Sequence, residues 1–174
     1  LTTLEGKDTD IVVQELCKKA VLLNVAAVCV YPALVKTAKT ALESTGKPVA
    51  SVAGGFPAGQ IPLHLKLEEV KYAIGEGADE IDLVINRKEF LQGNHSYTQD
   101  EVAAVKAVCG NTTLKVILET GELETLENIA LASRLAMAGG ADFIKTSTGK
   151  INGNATLQHV YVMLMEIKAE QERT

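Results

Sequence analysis

A lysine follows two apolar residues in a short strand-like segment near the end of the chain. Lys145 precedes the hydroxylated run Thr146-Ser147-Thr148 and then Gly149-Lys150. Burying an ammonium without a partner is costly, and a buried lysine commonly gives up its proton. A neutral amine in an apolar pocket can attack a carbonyl to form a Schiff base. Lys145 is therefore a candidate nucleophile, and the run after it could hold a polar or phosphorylated substrate.

Two earlier strand-like segments also carry an ionisable residue among aliphatic ones. These residues are Asp82, before Leu83, and Lys115, after Leu114. Buried charges require partners, so we expect Asp82, Lys115 and Lys145 to face one another in a shared interior. Asp82 would then transfer protons, directly or through a water molecule. Lys115 would keep Asp82 ionised, or would disfavour the charge on Lys145 by repulsion.

Each interpretation has a structural alternative. Asp82 and Lys115 could form a purely structural ion pair, and Lys145 could extend from a strand end into solvent. Gly149-Lys150 could be a plain turn. Cys29, which ends another strand near the predicted site, could be an inert core cysteine. The pattern of residue types leaves these alternatives open.

Two other common kinds of site do not fit the sequence. A P-loop requires Ser or Thr after its lysine, but Ile151 follows Lys150. His64, His95 and His159 lie on separate segments without the spacing of metal ligands, so we expect no metal site.

Helical and strand patterns alternate along the chain. We predict strands at 25–30, 48–53, 80–85, 114–118 and 141–146, and helices at 12–23, 32–44, 63–74, 98–108, 123–137 and from 157 onwards. Residues 1–3 could be the tip of a further strand. In the third helix, Leu67, Val70 and Ile74 mark the predicted apolar face. Thr98 and Glu101 suggest a capping box at the start of the fourth helix.

Short apolar strands between helices indicate a parallel sheet covered on both faces, either doubly wound or closed as a (β/α)8 barrel. Residues with functional character lie at or beyond several strand ends: Cys29, Gly54–Gly59, Asn86, Glu119–Gly121 and Lys145–Lys150. The active site of a (β/α)8 barrel is built from residues at such positions. In addition, no glycine-rich turn of the kind that binds dinucleotides in doubly wound sheets follows the first strand. We therefore predict a (β/α)8 TIM barrel. Because a complete barrel takes about 250 residues, we expect it to be incomplete, with about five to six of its eight βα units.

Composition excludes several classes of protein. The chain has 174 residues, and 17 basic against 22 acidic residues give a net charge of −5, which argues against nucleic-acid binding. No apolar run reaches the roughly 18 residues of a membrane span, and the polar start lacks the features of a signal peptide. Three widely spaced cysteines are typical of a reduced, cytoplasmic protein.

Six segments of the chain, taken in order, form a distinctive set of motifs: Leu1–Leu4, Val28–Pro32, Gly55–Gly59, Asp79–Asp82, Leu118–Leu123 and Phe143–Lys150. Together these segments resemble the deoxyribose-phosphate aldolase family, and Phe143–Lys150 is similar to the Schiff-base segment of that family. The resemblance implies a class I aldolase on a (β/α)8 barrel, acting in deoxyribonucleotide catabolism. Such enzymes reversibly cleave 2-deoxy-D-ribose 5-phosphate to D-glyceraldehyde 3-phosphate and acetaldehyde, without a metal or an organic cofactor.

The resemblance also implies roles for particular residues. Lys145 forms the Schiff base and Asp82 is the proton donor and acceptor. The supporting residues are Lys115, Cys29 and Thr146, and the phosphate-binding residues are Gly149 and Lys150. Residues 1–174 then form a single partial barrel domain that lacks the start of the first strand and the last two βα units. In the family, a second catalytic lysine lies beyond the position of Thr174.

The expected partners are small molecules, namely the sugar phosphate and acetaldehyde, and we expect a homo-oligomer when the barrel is complete. Two alternative functions stay open at this point. The chain could be a non-catalytic fragment with a partner-binding role, or another class I aldolase acting on a different sugar phosphate.

Overall fold

The computed structural model describes residues 1–153 and 155–173. The predicted domain end, Thr174, lies outside the described residues. The strands are β1 Val28–Val30, β2 Val49–Ala53, β3 Glu80–Val84, β4 Thr113–Ile117 and β5 Phe143–Lys145. The helices are α1 Asp10–Leu22, α2 Val35–Leu42, α3 Leu63–Gly75, α4 Arg87–Leu91, α5 His95–Cys109, α6 Leu126–Ala138 and α7 Leu157–Gln171.

The five strands form one parallel sheet in the order β1-β2-β3-β4-β5. Each strand therefore pairs with the next strand in the sequence, and at least one helix lies between them. A doubly wound sheet would reverse its strand order at a switch point, whereas a barrel does not. A parallel bridge between Thr2 and Cys29 continues the pairing beyond β1, where the tip of a further strand was predicted. The arrangement is that of an incomplete (β/α)8 barrel.

The two faces of the sheet differ in polarity. On the helix side, Ile81 and Leu83 of β3 and Leu114 and Val116 of β4 are fully buried in the hydrophobic core. Because side chains alternate along a strand, the residues between them project to the inner side of the curved sheet. Those residues include Glu80, Asp82 and Lys115. The apolar layer thus fixes the strands, and the inner face is left for polar groups.

The strand β5 is less buried than predicted. Phe143 is 60% exposed, and Ile144 and Lys145 are half-buried. Among the described strands, β5 pairs only with β4, so it lies at the edge of the sheet. Within the described residues, this strand is therefore covered less completely than the sheet covered on both faces that the sequence predicts, although Ile144 packs against the core.

The predicted capping box is wrong. Helix α5 begins at His95, so Thr98 lies within the helix instead of before it. Thr98 and Glu101 are both fully buried, and Glu101 forms an ion pair with Lys66 of α3. The fully buried residues of α3 are Lys66, Val70 and Ala73, and the predicted Leu67 and Ile74 are partly buried and pack against the same core. The predicted apolar face is therefore confirmed, and Lys66 is an addition that the sequence did not indicate.

The Lys66–Glu101 ion pair braces the end of the strand that carries Asp82. Lys66 Nζ lies 2.8 Å from Glu101 Oε1, and both side chains are fully buried. Lys66 also donates to the Val84 carbonyl at 3.1 Å, while Glu101 Oε2 accepts the Asn86 N–H at 2.9 Å. Burial lowers the pKa of Lys66 and raises the pKa of Glu101, and their mutual attraction opposes both shifts. Four polar groups therefore satisfy one another in the apolar layer.

The sequence Gly-Ala-Asp occurs just before β3 and again before β5. Asp79, in the first copy, accepts the N–H of Val49 at 2.8 Å, and Asp142, in the second, accepts the N–H of Leu114 at 2.7 Å. Each carboxylate also pairs with a lysine of a helix. The same contact thus aligns the start of two strands with the start of the preceding strand.

No helix among residues 1–153 and 155–173 is long and apolar enough to cross a lipid bilayer.

We predict that Lys66→Met lowers the free energy of unfolding by about 3–5 kcal/mol, because it leaves the Glu101 carboxylate buried without a cation. Urea unfolding measures this loss. The double variant Lys66→Met with Glu101→Gln should recover much of it, since glutamine still accepts the Asn86 N–H without carrying a charge. Lys71→Met is the matched control in the same helix. Its exposed pair with Glu68 should contribute less than about 1 kcal/mol. Equal losses for Lys66→Met and Lys71→Met would contradict the prediction.

Candidate active site

Asp82 is a buried carboxylate between two lysines. Its side chain is 1% exposed and lies on the inner face of β3. Oδ1 lies 2.9 Å from Lys115 Nζ, and Oδ2 accepts a short hydrogen bond from Lys145 Nζ. The structure therefore brings together the three ionisable residues that the sequence predicts to face one another. Asp82 joins them, with one lysine on each oxygen.

Strand register explains how the three side chains meet. Asp82 and Lys115 are direct partners in the β3–β4 pairing, and Lys145 is the partner of Ile117, two residues after Lys115 on β4. Residues two apart on a strand project to the same side. All three charged groups therefore lie on the inner face, and Lys145 lies one step closer to the carboxyl ends of the strands.

Lys115 also contacts a second carboxylate, Glu80, which was not among the residues predicted for the site. Glu80 Oε2 lies 2.6 Å from Lys115 Nζ, so the lysine links Glu80 with Asp82. Burial lowers the pKa of Lys115, but the hydrogen bond to Glu80 and the charge of Asp82 outweigh it and raise the pKa overall. Lys115 thus stays a cation at neutral pH. Glu80 precedes Asp82 by two residues, and this strand period could have identified it.

Lys145 is neither isolated nor fully buried. Its side chain is 37% exposed, and its amine is held by Asp82. The sequence suggested either a neutral amine in an apolar pocket or a lysine extended into solvent, and the structure matches neither in full. A reactant can approach the amine from the open side, while Asp82 lies within hydrogen-bonding reach on the other. A proton can pass between Nζ and the carboxylate without movement of either side chain.

Cys29 lies on β1, at the edge of this cluster. Burial raises the pKa of its thiol to about 12, and the charge of Asp82 adds to that shift against smaller opposing effects of Lys145 and Lys115. The thiol is therefore protonated at neutral pH. A protonated thiol is consistent with the alternative of an inert cysteine.

The segment after Lys145 is ordered by the loop that follows β4. The Thr146 carbonyl accepts the N–H of Thr120 at 2.8 Å. The N–H of Thr148 donates to Glu119 Oε1 at 3.1 Å, and the Thr148 hydroxyl makes a short hydrogen bond to Glu119 Oε2. Glu119 is fully buried. Its position after a strand was visible in the sequence, but its partner on a distant loop was not.

The predicted phosphate-binding residues lie at the exposed end of this segment. Gly149 has a φ of 76°, a left-handed conformation that favours glycine. Lys150 Nζ lies 2.8 Å from Glu5 Oε1, and its N–H donates to the Thr148 hydroxyl at 3.1 Å. The structure therefore places Lys150 five residues after Lys145 of β5, but paired with a carboxylate from the start of the chain. Nothing in the sequence indicated the Glu5 contact.

Within 1–153 and 155–173, no three His, Cys, Asp or Glu side chains cluster as a metal site would require. The charged groups of the inner face instead form alternating contacts between lysines and carboxylates. That arrangement is suited to moving a proton beside an amine.

Comparison with known proteins identifies relatives over nearly the whole chain. A family model described as DeoC/LacD family aldolase matches residues 1–172. The human and mouse deoxyribose-phosphate aldolases are each 48% identical to the chain over 186 aligned residues. Each match covers 97% of the chain and 58% of the relative, so the chain spans less than two thirds of the length of these curated relatives.

Solved structures support the same relationship. The tetrameric deoxyribose phosphate aldolase of Aeropyrum pernix has a TM-score of 0.85 and 28% identity, over 97% of this chain and 70% of that one. The structure described as QR15, an aldolase, has a TM-score of 0.90 and 30% identity, over 96% of this chain and 74% of that one. Together with the sequential parallel strands, these similarities confirm the prediction of an incomplete (β/α)8 barrel.

We predict that Cys29 reacts slowly with iodoacetamide. A pKa of about 12 instead of 9.0 lowers the thiolate fraction at pH 8 by about three orders of magnitude. Peptide mass spectrometry after timed labelling measures the rate, with N-acetylcysteine as the reference thiol. The rate should rise about tenfold for each pH unit between 8 and 10. Labelling of Cys29 at the rate of the reference thiol would contradict the assignment of a protonated, inert thiol.

Proposed function

Because the chain belongs to the DeoC/LacD aldolase family, we propose that this protein is a class I deoxyribose-phosphate aldolase. It reversibly cleaves 2-deoxy-D-ribose 5-phosphate to D-glyceraldehyde 3-phosphate and acetaldehyde. The observation that carries the proposal is the accessible amine of Lys145 in contact with the buried carboxylate of Asp82, which Lys115 holds from the other side. The human and mouse relatives, named deoxyribose-phosphate aldolases, support the choice of substrate.

Lys145 acts as the nucleophile. Asp82 accepts a proton from the Lys145 ammonium, and the free amine attacks the aldehyde carbon C1 of the open-chain sugar to give a carbinolamine. Loss of water then gives an iminium. The iminium draws the electron pair of the C2–C3 bond as the C3 hydroxyl loses its proton, so D-glyceraldehyde 3-phosphate leaves and an enamine stays on Lys145. Protonation of the enamine at C2 and hydrolysis release acetaldehyde and restore the amine.

Asp82 moves the protons of this sequence, and Lys115 keeps it able to do so. Lys115, itself kept charged by Glu80 and Asp82, offsets the cost of burying the Asp82 carboxylate by its contact with Oδ1. Oδ2, on the side of Lys145, is left to take a proton from one intermediate and give it to the next. The Asp82–Lys115 contact is structural and functional at once in this proposal.

The substrate phosphate binds at the end of the segment that follows Lys145. Gly149 supplies a left-handed turn and Lys150 supplies a cation. In this proposal Thr146 and Cys29 are supporting residues of the site. Lys150 is paired with Glu5 in the structure, at partly exposed positions where an ion pair contributes little free energy. A dianionic phosphate can therefore replace Glu5 as the partner of Lys150.

The remaining features of the proposal concern the whole protein. The partners are the small molecules of the reaction, and the net charge of −5 argues against nucleic acid. The protein forms a homo-oligomer, as the tetrameric relative from Aeropyrum pernix suggests. It works in the cytoplasm without a metal or organic cofactor. Residues 1–174 form one domain, which is part of a complete barrel.

Trapping tests the role of Lys145 directly. We predict that the full-length protein incubated with acetaldehyde and borohydride acquires one reduced two-carbon adduct, located on Lys145 by peptide mass spectrometry. Lys145→Ala should abolish both the adduct and the turnover of 2-deoxy-D-ribose 5-phosphate. Lys106→Ala is a suitable control, because its exposed pair with Asp142 lies at the opposite ends of the strands. An adduct on a residue other than Lys145 would disprove the assignment.

Replacement of Asp82 separates proton transfer from nucleophilic attack. We expect Asp82→Asn to lower kcat by about 10²- to 10⁴-fold, the usual range for a general acid–base group. The variant should still form an adduct with acetaldehyde in prolonged trapping, because the amine of Lys145 is retained. Steady-state kinetics and the time course of trapping give the two readings. A kcat within threefold of wild type would remove Asp82 from the mechanism.

A further inference from the structure

We infer that Glu119 is a positioning residue for anion binding: its buried carboxylate orders the Thr148–Lys150 turn that receives the phosphate of the substrate. The inference rests on the proposed function and extends it to a residue that does not touch the substrate. Three observations support it: the left-handed backbone of Glu119, the burial of its side chain, and the hydrogen bonds that its two carboxylate oxygens accept.

The conformation of Glu119 is unusual for its residue type. Its φ of 57° and ψ of 59° lie in the left-handed region, which a residue with a Cβ adopts at a cost. Its side chain is fully buried. Among residues 1–153 and 155–173, no basic nitrogen lies within 4.0 Å of its carboxylate to balance the charge. A strained backbone and an uncompensated buried charge persist only where the surrounding structure requires them.

The hydrogen bonds show what the carboxylate does. Oε1 accepts the N–H of Thr148 at 3.1 Å, and Oε2 accepts the Thr148 hydroxyl. A carboxylate only accepts, so the single hydroxyl proton of Thr148 must point to Glu119. The lone pairs of the same hydroxyl are then directed away from Glu119, and one of them accepts the N–H of Lys150 at 3.1 Å. Glu119 thus sets the direction of a hydrogen-bond relay that ends on the backbone of the predicted phosphate lysine.

Neighbours of Glu119 hold the same segment at two further points. The N–H of Thr120 donates to the Thr146 carbonyl at 2.8 Å. Gly121 lies so close to Gly153 that a Cβ on Gly121 would come within 2.2 Å of the Gly153 oxygen. The loop after β4 therefore contacts the segment after β5 before, within and beyond the turn. Between these contacts the Ser147 hydroxyl is buried without a hydrogen-bond partner among the described residues.

Loss of Glu119 should affect phosphate binding and the chemical step unequally. If Glu119 orders the turn, its loss should weaken binding of the phosphate more than it weakens chemistry at Lys145. Glutamine at this position offers one acceptor oxygen and a donor NH₂. Since the Thr148 N–H still needs an acceptor, the glutamine oxygen would face that N–H and the NH₂ group would face the Thr148 hydroxyl. The hydroxyl proton would then lose its acceptor on residue 119, so residue 119 would no longer set the direction of the relay, while its volume would stay nearly the same.

The test compares two substrates in the full-length protein. The ratio of kcat/KM for 2-deoxy-D-ribose 5-phosphate to that for 2-deoxy-D-ribose should fall about tenfold in Glu119→Gln, mainly through KM of the phosphorylated sugar. Thr148→Val, which removes the hydroxyl, should lower the ratio similarly, and Thr148→Ser should recover most of it. Glu127→Gln, at an exposed position of α6, makes the same change of charge and should keep the ratio of the wild type.

Several results would overturn the inference. An unchanged ratio in Glu119→Gln and Thr148→Val would show that the relay does not serve the phosphate. Equal losses of kcat/KM for both substrates in Glu119→Gln would show that Glu119 has a purely structural role. If Glu119→Gln does not fold, Thr148→Val decides the question alone, because it leaves the buried carboxylate in place.

Failure of the proposed function gives a different result. In that case the wild type would turn over neither sugar. Titration of inorganic phosphate, followed through the amide resonances of Thr148 to Lys150, would then still test the anion site. Weaker phosphate binding in Thr148→Val than in wild type would support the inference, and equal or absent binding would overturn it.

Discussion

The arrangement of the inner face depends on one buried charge. Asp82 is 1% exposed, and removing a carboxylate from water is affordable only when cations replace the lost solvation. Lys115 and Lys145 supply that replacement from the two strands that follow β3 along the sheet. The pairing fixes which side of β4 and β5 faces inward. It also places the Lys145 amine beside a carboxylate that can exchange a proton with it, so the requirement that stabilises the carboxylate also assembles the candidate site.

The sequence predicts the fold well where one element determines its own pattern. Strand and helix alternation gave the five described strands of the parallel sheet, because each strand is a short apolar run between helices. The prediction failed where a residue is determined by a distant partner. Thr98 and Glu101 match a capping box locally, but Glu101 is buried against Lys66 of another helix. A buried lysine on a helix cannot be distinguished from an exposed one by periodicity alone.

The candidate site also contains residues that the sequence predicts and contacts that it does not. Asp82, Lys115 and Lys145 stand out because an ionisable residue among aliphatic neighbours must find a partner. Glu80 follows from the strand period once Asp82 is placed. Glu119 and Glu5 could not be paired with Thr148 and Lys150 from the sequence, because these contacts join loops that are far apart along the chain. Their geometry depends on how the ends of neighbouring strands are brought together.

The repeated Gly-Ala-Asp sequence has a consequence for how this protein can change over evolutionary time. Asp79 and Asp142 align strands at their amino ends, whereas Lys145 and the loops around it lie towards the carboxyl ends. In these two βα units, strand alignment and the candidate site therefore lie at opposite ends. Insertions or substitutions in the loops around Lys145 leave the contacts of Asp79 and Asp142 in place, so they can change the site without shifting the strands against one another. The scaffold is in this sense evolvable, because its alignment signals lie away from the residues of the candidate site.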